Sequence, residues 1–351
     1  MTPLTNTRIA RSRQVVTPRE LKKRLPLDHI AWQVVAQARE RIIEILEGKS
    51  QKLLILAGPC SIHDQKAAYE YTDRLAALAK KVEDKIVVVM RVYFEKPRTV
   101  AGWKGGISDP FLNGSNQMSE GLALAREIMM HINMLGLPVA TEILDPVVPA
   151  YLDDLLAWAS IGARTIESQL HRQMASGLSM PVGCKNGTDG SFQVAIDAIR
   201  SAQTSHDFLG IDDDATLRQF TTEGNPWGHV VLRGGNGHPN YDHSTLLAVD
   251  EALKKANLPQ HILVDCSHAN SGKQHINQEA VWNAVFQEFL RGNVGVMGMM
   301  LESNLLEGNQ PLPTDLRGFD SKTLKYGVSV TDQCIGWEQT ERIILEAYAA
   351  L

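Results

Sequence analysis

Short apolar runs alternate with helical patterns eight times along this 351-residue chain, and that count narrows the possible folds more than any other feature. The apolar runs are residues 53–57, 86–90, 138–143, 160–163, 181–184, 229–232, 261–264 and 294–301. The helical patterns are residues 65–82, 119–135, 151–159, 169–178, 190–202, 244–256, 278–290 and 337–351. Eight strands, each followed by a helix, predict an α/β fold closed into a (β/α)8 TIM barrel. A doubly wound sheet would carry a glycine fingerprint after its first strand, and the turn here reads Gly58-Pro59-Cys60-Ser61 instead.

Two places break the rhythm. Residues 208–222 read as an inserted β-hairpin before the sixth strand, turning at Asp212-Asp213-Asp214. Residues 302–330 form a long connection bearing Gly and Pro after the eighth strand, and loops of that length usually serve function. Ahead of the first strand, Thr17-Pro18-Arg19-Glu20 spells a capping box, and an amphipathic helix follows from about Asp28 to Gly48. The expected organisation is an N-terminal extension over 1–50 for regulation and subunit contacts, then a catalytic barrel over 51–351.

With 44% hydrophobic residues the chain can fill a large core, and a net charge of -5 argues against a nucleic-acid partner. No window reaches the run of about 20 apolar residues that a membrane helix requires, so no membrane association is expected. Cys60, Cys184, Cys266 and Cys334 are widely spaced without a CxxC pattern, which suits a reducing cytoplasm.

Against that acidic background, residues 88–104 stand out. The strand leaves its apolar run through Arg91, Lys96, Arg98 and Lys104, with Pro97 and Gly102 among them. Cations gathered at one strand mouth repel one another unless an anion sits between them. Either a phosphate-binding loop or an ordinary basic surface loop fits this stretch alone. The other strand ends add Cys60, Glu142, Arg164, Lys185, Arg233, His268 and Glu302, at the rim where barrels of this kind place their active sites. Cys60, His268 and Glu302, with Asp332 from the final loop, make a mixed thiolate, imidazole and carboxylate set suited to a divalent transition metal. Arg91, Lys96, Arg98, Arg164, Lys185 and Arg233 imply substrates carrying several negative charges.

The motifs GPCSIHD at 58–64, MRVYFEKPRT at 90–99, GWKG at 102–105, GARTIE at 162–167, KNGTDG at 185–190, LRGG at 232–235, DCSHAN at 265–270 and ESNLLEGNQ at 302–310 together resemble one family. It is the type I 3-deoxy-D-arabino-heptulosonate 7-phosphate (DAHP) synthases, in their feedback-regulated bacterial and fungal subclass. The resemblance runs in order from about Thr17 to Trp337, with departures at Gly106, Ile166, Cys184 and Gln333.

It implies a metal-dependent condensation of phosphoenolpyruvate with erythrose 4-phosphate, releasing phosphate, as the first step of the shikimate pathway. It implies Mn2+, Fe2+, Co2+ or Zn2+ on Cys60, His268, Glu302 and Asp332. Arg91, Lys96, Arg164, Lys185 and Arg233 would hold phosphoenolpyruvate; Lys96, Arg98 and Thr99 would meet erythrose 4-phosphate. Glu142 would be a polar partner beside Lys185, and Lys96, Cys60, His268 and Asp332 would form the catalytic set. The resemblance also implies a homodimer or homotetramer inhibited by an aromatic amino acid, tyrosine first and phenylalanine second, with Pro149, Met174, Leu178, Ser179 and Phe208 as effector contacts. His63 and His171 are expected to be structural.

Two rival functions are a class II metal aldolase, which would favour histidine-rich zinc ligation, and a non-catalytic metabolite-sensing barrel. Finally, Cys334 lies two residues after Asp332. In an extended segment those side chains share a side, which puts Cys334 within possible reach of Cys60.

Overall fold

Two helices precede the barrel in the computed structural model, which describes residues 4–292 and 294–351. α1 (Pro18–Arg24) opens with the expected capping box. Glu20 N–H donates to Thr17 Oγ1 at 3.2 Å, and Thr17 N–H donates to the Glu20 carboxylate at 2.9 Å. α2 (His29–Leu46) is capped by Asp28, which accepts from Ile30 N–H at 2.7 Å.

Strands and helices then alternate: β1 (Leu53–Gly58), α3 (Gln65–Val82), β2 (Ile86–Arg91), α4 (Met118–Met134), β3 (Val139–Glu142), α5 (Pro149–Leu152), β4 (Leu156–Ile161), α6 (Gln169–Gly177), β5 (Val182–Lys185) and α7 (Gln193–Ala202). The hairpin β6 (Asp207–Ile211) and β7 (Leu217–Thr221) follows. The barrel resumes with β8 (Gly228–Leu232), α8 (His243–Lys255), β9 (Ile262–Asp265), α9 (Gln278–Arg291), β10 (Val296–Glu302) and α10 (Trp337–Ala350). The eight barrel strands are all parallel and close in the order β1-β10-β9-β8-β5-β4-β3-β2. β6 and β7 form a separate two-stranded sheet before the sixth barrel strand, as the sequence predicts.

Side-chain alternation sorts each strand into two faces. Leu53, Ile55, Ala57, Ile86, Val88 and Met90 pack outward with the helices. Leu54, Leu56, Val87, Val89, Ala140, Trp158, Val231, Leu263 and Met300 fill the interior. The amino end of that interior is stoppered by Ala38, Ile42, Ile45 and Leu46 of α2, all on one helical stripe. Each such Leu or Ile, fully buried, contributes about 1.5–3 kcal/mol of transfer free energy.

The same parity carries the chemistry. Following the inward set 87, 89 leads to Arg91; 140 leads to Glu142; 183 to Lys185; 263 to Asp265; 300 to Glu302. Polar residues thus occupy the inward positions at the carboxyl ends of the strands, above an apolar plug.

One expected helix is much shorter than the sequence suggests. Of residues 151–159 only Tyr151 and Leu152 are α-helical, as the end of α5; a single 3₁₀ turn then spans Asp153–Leu155, and β4 already starts at Leu156. The run Leu155-Leu156-Ala157-Trp158-Ala159 has helix-forming composition, but all six residues of β4 are buried, which a barrel strand requires and an outer helix does not. The predicted strand at 160–163 is therefore the end of β4 and the turn after it.

Candidate active site

The carboxyl end of the barrel holds a cavity of about 110 Å3. Lys96, Arg98, Glu142, Arg164, Lys185, Arg233, His268 and Asp332 line it, joined by Tyr93 and Lys273. Eight sequence-predicted residues from seven separate segments therefore meet in one place. Cys60 and Glu302 are outside its lining, no more than 1% exposed, and adjoin it through Lys96 and His268.

The proposed metal set can be tested on its own geometry. Cys60, Glu302 and Asp332 bring ligand atoms within 4.8 Å of one another. His268 Nε2 lies 3.8 Å from Glu302 Oε1. Its other ring nitrogen, Nδ1, faces Asp265 Oδ2 at 2.9 Å, which orients the imidazole and leaves Nε2 for a metal. Glu302 Oε2 is buried without a hydrogen-bond partner among the described residues, a cost that a cation would remove. The structure thus clusters three of the four expected ligands, with His268 outside that cluster but its Nε2 turned toward Glu302; a thiolate, imidazole and carboxylate donor set suits a divalent transition metal.

Burial pushes the Cys60 thiol up to about 11, the Glu302 carboxylate adds to this, and Lys96 opposes it. Lys96 Nζ sits 3.2 Å from Cys60 Sγ and donates to Cys60 O at 3.0 Å. Loading a metal on the thiolate therefore releases a proton next to a lysine.

The cations are braced by anions beneath them. Arg91 is fully buried, and its guanidinium donates to Glu302 Oε1 at 3.0 Å and lies 4.0 Å from the Tyr93 ring centre. Lys185 Nζ donates to Glu142 Oε2 at 3.3 Å and lies 3.7 Å from Asp265 Oδ2. Burial alone would raise Glu142, but Lys185 and Lys96 hold it below its ordinary range. Burial would likewise lower Lys185, yet Tyr93, Glu142 and Asp265 keep it raised and charged.

Gly162 is what allows Glu142 to sit there: a Cβ at that position would fall 2.2 Å from Glu142 Oε1. Glu95 has turned away from the cavity. It accepts from Leu144 N–H at 3.3 Å and Asp145 N–H at 3.2 Å, and burial pushes its carboxyl up to about 8.

Not every predicted residue reaches the mouth. Arg91 lies behind Tyr93 and does not line the cavity; the inward position that places it also buries it. Thr99 is exposed on its loop and stands outside the lining. His63 and His171 also stand outside it; His171 is hydrogen-bonded between Leu144 O and Ser168 Oγ.

Sequence reasoning missed Tyr93, Asp265 and Lys273. Tyr93 was legible as the next inward residue after Arg91, and Asp265 as the acidic residue three before His268. Lys273 comes in on a left-handed turn, φ +61°, which no periodicity reveals.

Of the effector contacts, Pro149, Met174, Leu178 and Phe208 line a second cavity of about 700 Å3, between α1, α5, α6 and the hairpin. Ser179 is exposed and lies outside it. Cys334 is buried, and Cys60 N–H donates to its sulfur at 3.4 Å, so the two cysteines are neighbours.

Fold and site together define a (β/α)8 barrel that gathers cationic side chains beside a candidate metal centre at its carboxyl end. The DAHP synthetase I family profile matches residues 25–345. The Tyr-sensitive phospho-2-dehydro-3-deoxyheptonate aldolase of Salmonella typhimurium is 47% identical over 348 residues, covering 99% of this chain and 96% of that protein. The Trp-sensitive enzyme of Escherichia coli K12 is also 47% identical, over 98% of this chain and 97% of that one. A solved phospho-2-dehydro-3-deoxyheptonate aldolase from Francisella tularensis superposes with a TM-score of 0.93 at 41% identity, covering 97% of this chain and 98% of that one.

The chain belongs to the DAHP synthetase I family. It is an enzyme of that family's reaction, the first step of aromatic biosynthesis.

Proposed function

We propose that the cavity at the carboxyl end of the barrel is where phosphoenolpyruvate and erythrose 4-phosphate condense, with water, to DAHP and phosphate. The observation that carries this assignment is the meeting of Lys96, Arg98, Arg164, Lys185 and Arg233 directly above Cys60, Glu302 and Asp332.

Arg164, Lys185 and Arg233 line the wall and bind the carboxylate and phosphate of phosphoenolpyruvate, with Arg91 adding positive potential from behind Tyr93. Arg98 and Lys96 face the second phosphate from the β2 loop, and Thr99 reaches it only if that loop closes. The enol carbon of phosphoenolpyruvate forms the new bond to the aldehyde carbon. Water adds at the adjacent carbon, and the hemiketal phosphate collapses with loss of phosphate.

Lys96 stands between the metal set and the substrate cations, charged and 3.2 Å from Cys60 Sγ, where it can give a proton to the new alkoxide. A divalent ion on Cys60, His268, Glu302 and Asp332 would supply Lewis acidity toward the aldehyde oxygen. The fixed cations stabilise charge as it moves from phosphoenolpyruvate to phosphate.

The second cavity suits an aromatic amino acid. Phe208, Phe220, Met174 and Leu178 offer an apolar wall, while Lys22, Asp212 and Asp213 offer opposite charges for its carboxylate and ammonium. Tyrosine is our first assignment and phenylalanine the second; the relatives named above include both Tyr-sensitive and Trp-sensitive enzymes. Leu209 and Leu217 are about two-thirds exposed on the hairpin and suit a subunit contact, consistent with a homodimer or homotetramer. A cytoplasmic location agrees with four free, buried cysteines.

The test is a phosphate-release assay on chelator-treated protein. Turnover should vanish on metal stripping and return with Mn2+, and His268→Ala should neither bind metal nor turn over. Full activity of the stripped protein would overturn the metal assignment. Aldol cleavage without phosphate release would favour the class II aldolase reading.

A further inference from the structure

The four candidate ligands arrive on separate segments. Cys60 follows β1 and Glu302 ends β10, so the barrel fixes both. His268 and Asp332 instead ride on loop segments, 266–274 and 329–335; bridges from Ser329 to Asn309 and from Cys334 to Gly308 tie the second at its ends, and Ile335 N–H donates to Glu302 O at 2.9 Å. Between them runs a short piece of chain, a 3₁₀ turn at His275–Asn277 leading into α9 at Gln278.

This piece makes two polar contacts back to the metal end of the mouth. Gln278 Nε2 donates to Glu302 O at 3.0 Å, and Glu302 N–H donates to Gln278 Oε1 at 3.0 Å, so one fully buried amide grips the ligand's backbone on both sides. Three residues earlier, His275 N–H and His275 Nδ1 both approach Gln333 Oε1, at 3.2 Å and 2.8 Å. Gln333 directly follows Asp332. The side chains of Gln278 and Gln333 point away from the substrate cavity and are not among its lining residues.

We propose that residues 275–278 are a buckle for the metal centre, in which Gln278 fixes Glu302 and the His275–Gln333 pair fixes Asp332. Gln333 and His275 are positioning residues: they touch neither substrate nor reacting atoms and act through the carboxylate beside them. Two hydrogen bonds onto one acceptor define where the segment bearing Asp332 stands relative to the segment bearing His268. The bridges at Ser329 and Cys334 hold the ends of the turn; without the His275–Gln333 pair the turn loses its tie to the segment bearing His268, and any freedom Asp332 gains must be given up when metal binds. Removing the outer partners of a metal ligand typically costs 10–100-fold in affinity.

This inference rests on the reading of Asp332 as a ligand, and the experiment separates the two. The readout is Co2+ affinity, measured by competition with a chromophoric chelator and independent of turnover, with thermal unfolding of the metal-free protein as a control on folding. Asp332→Asn should weaken Co2+ binding; if it does not, the ligand reading itself fails.

With that arm positive, Gln333→Ala should weaken Co2+ binding about tenfold. His275→Asn, whose amide can replace the Nδ1 donor, should stay near wild type, and His275→Ala should fall between. The double variant Gln333→Ala/His275→Ala should be no weaker than Gln333→Ala, because both remove one contact. At saturation the thiolate-to-cobalt absorption from Cys60 should persist in every Gln333 and His275 variant. Wild-type affinity in Gln333→Ala, or losses that simply add in the double variant, would overturn the buckle. Gln278→Ala is the more severe probe, but its buried amide is also a folding contact, so Gln333 carries the test.

Discussion

At the scale of single residues, the site works by stacking charges of opposite sign in depth. Lys185 meets the cavity on one side and rests on Glu142 and Asp265 on the other. A buried cation with such partners stays charged before any substrate arrives, so binding needs no proton uptake there.

The geometry depends on a hydrogen at Gly162. In Gly162→Ala the new methyl would meet Glu142 at 2.2 Å, and the carboxylate must move off Lys185. We expect the Michaelis constant for phosphoenolpyruvate to rise by about tenfold or more, since a displaced partner of a buried charge costs about 2–5 kcal/mol when the contact is lost outright. Steady-state kinetics decide it, and an unchanged constant would show that Glu142 does not set the position of Lys185.

A second expectation at this scale concerns oxidation. The neighbouring thiols of Cys60 and Cys334 can yield one disulfide, two protons and two electrons when hydrogen peroxide accepts the electrons and is reduced to water. Metal on Cys60 should block this. Stripped protein should lose activity under mild peroxide and regain it with dithiothreitol, while Cys334→Ser should resist. Equal inactivation of both proteins, or no Cys60–Cys334 peptide by mass spectrometry, would count against the pairing.

At the scale of elements, strand parity explains how much of the site could be read in advance. β1, β2 and β10 are apolar on both faces, so the strands and their polar ends were legible while the inward face was not; with the barrel closed, Arg91 and Glu302 continue that face into the mouth. β4 was harder, because Leu156-Ala157-Trp158-Ala159 satisfies a helix as readily as a strand until the neighbouring strands are in place.

Trp158 also explains a polar residue inside the plug. Its Nε1–H donates to His229 Nε2 at 3.0 Å, across a space that Gly183 leaves open. Burial therefore holds His229 neutral, with its pKa pushed down to about 3. In the unfolded chain the same imidazole titrates near 6.5. A depressed histidine gives its full stability above about pH 6.5, and that stability is lost as pH falls toward 3, by up to about 1.4 kcal/mol per pH unit. Denaturant melts of wild type and His229→Asn between pH 4 and 8 should converge at low pH and separate at high pH. Parallel curves would mean that His229 is not the titrating group.

At the scale of the whole molecule, the chain binds its extension to its insertion with charge. Arg19 forms a two-point ion pair with Asp214, Arg19 N–H donates to Asp213 O at 2.7 Å, and Lys22 reaches Asp213 at 3.2 Å. The acidic turn looked from sequence like simple hairpin chemistry; its second use, as the socket for α1, needed the fold, because 195 residues separate Arg19 from Asp214. The same is true of the second cavity. Its residues were guessed from resemblance, and only the packing of α1, α5, α6 and the hairpin makes them neighbours.

That construction predicts how inhibition should fail. Arg19 and Asp214 do not line the cavity, yet their ion pair joins two of its walls, α1 and the hairpin. Both are largely exposed, so breaking the pair should leave the barrel and its turnover intact. An effector that fits between α1 and the hairpin must then order those walls itself, and its apparent affinity falls by the fraction of protein in which they are already docked. Arg19→Ala/Asp214→Ala should therefore keep the wild-type turnover number and both Michaelis constants, while the tyrosine concentration for half-inhibition rises several-fold. Raising ionic strength should shift wild type in the same direction and the double variant hardly at all, because an exposed pair is screened by salt. Tryptophan and phenylalanine, titrated in parallel on the wild type, identify the effector by which curve moves in the variant. If no aromatic amino acid inhibits, the second cavity is not a regulatory site; if inhibition is equal in both proteins, the charged latch takes no part in it.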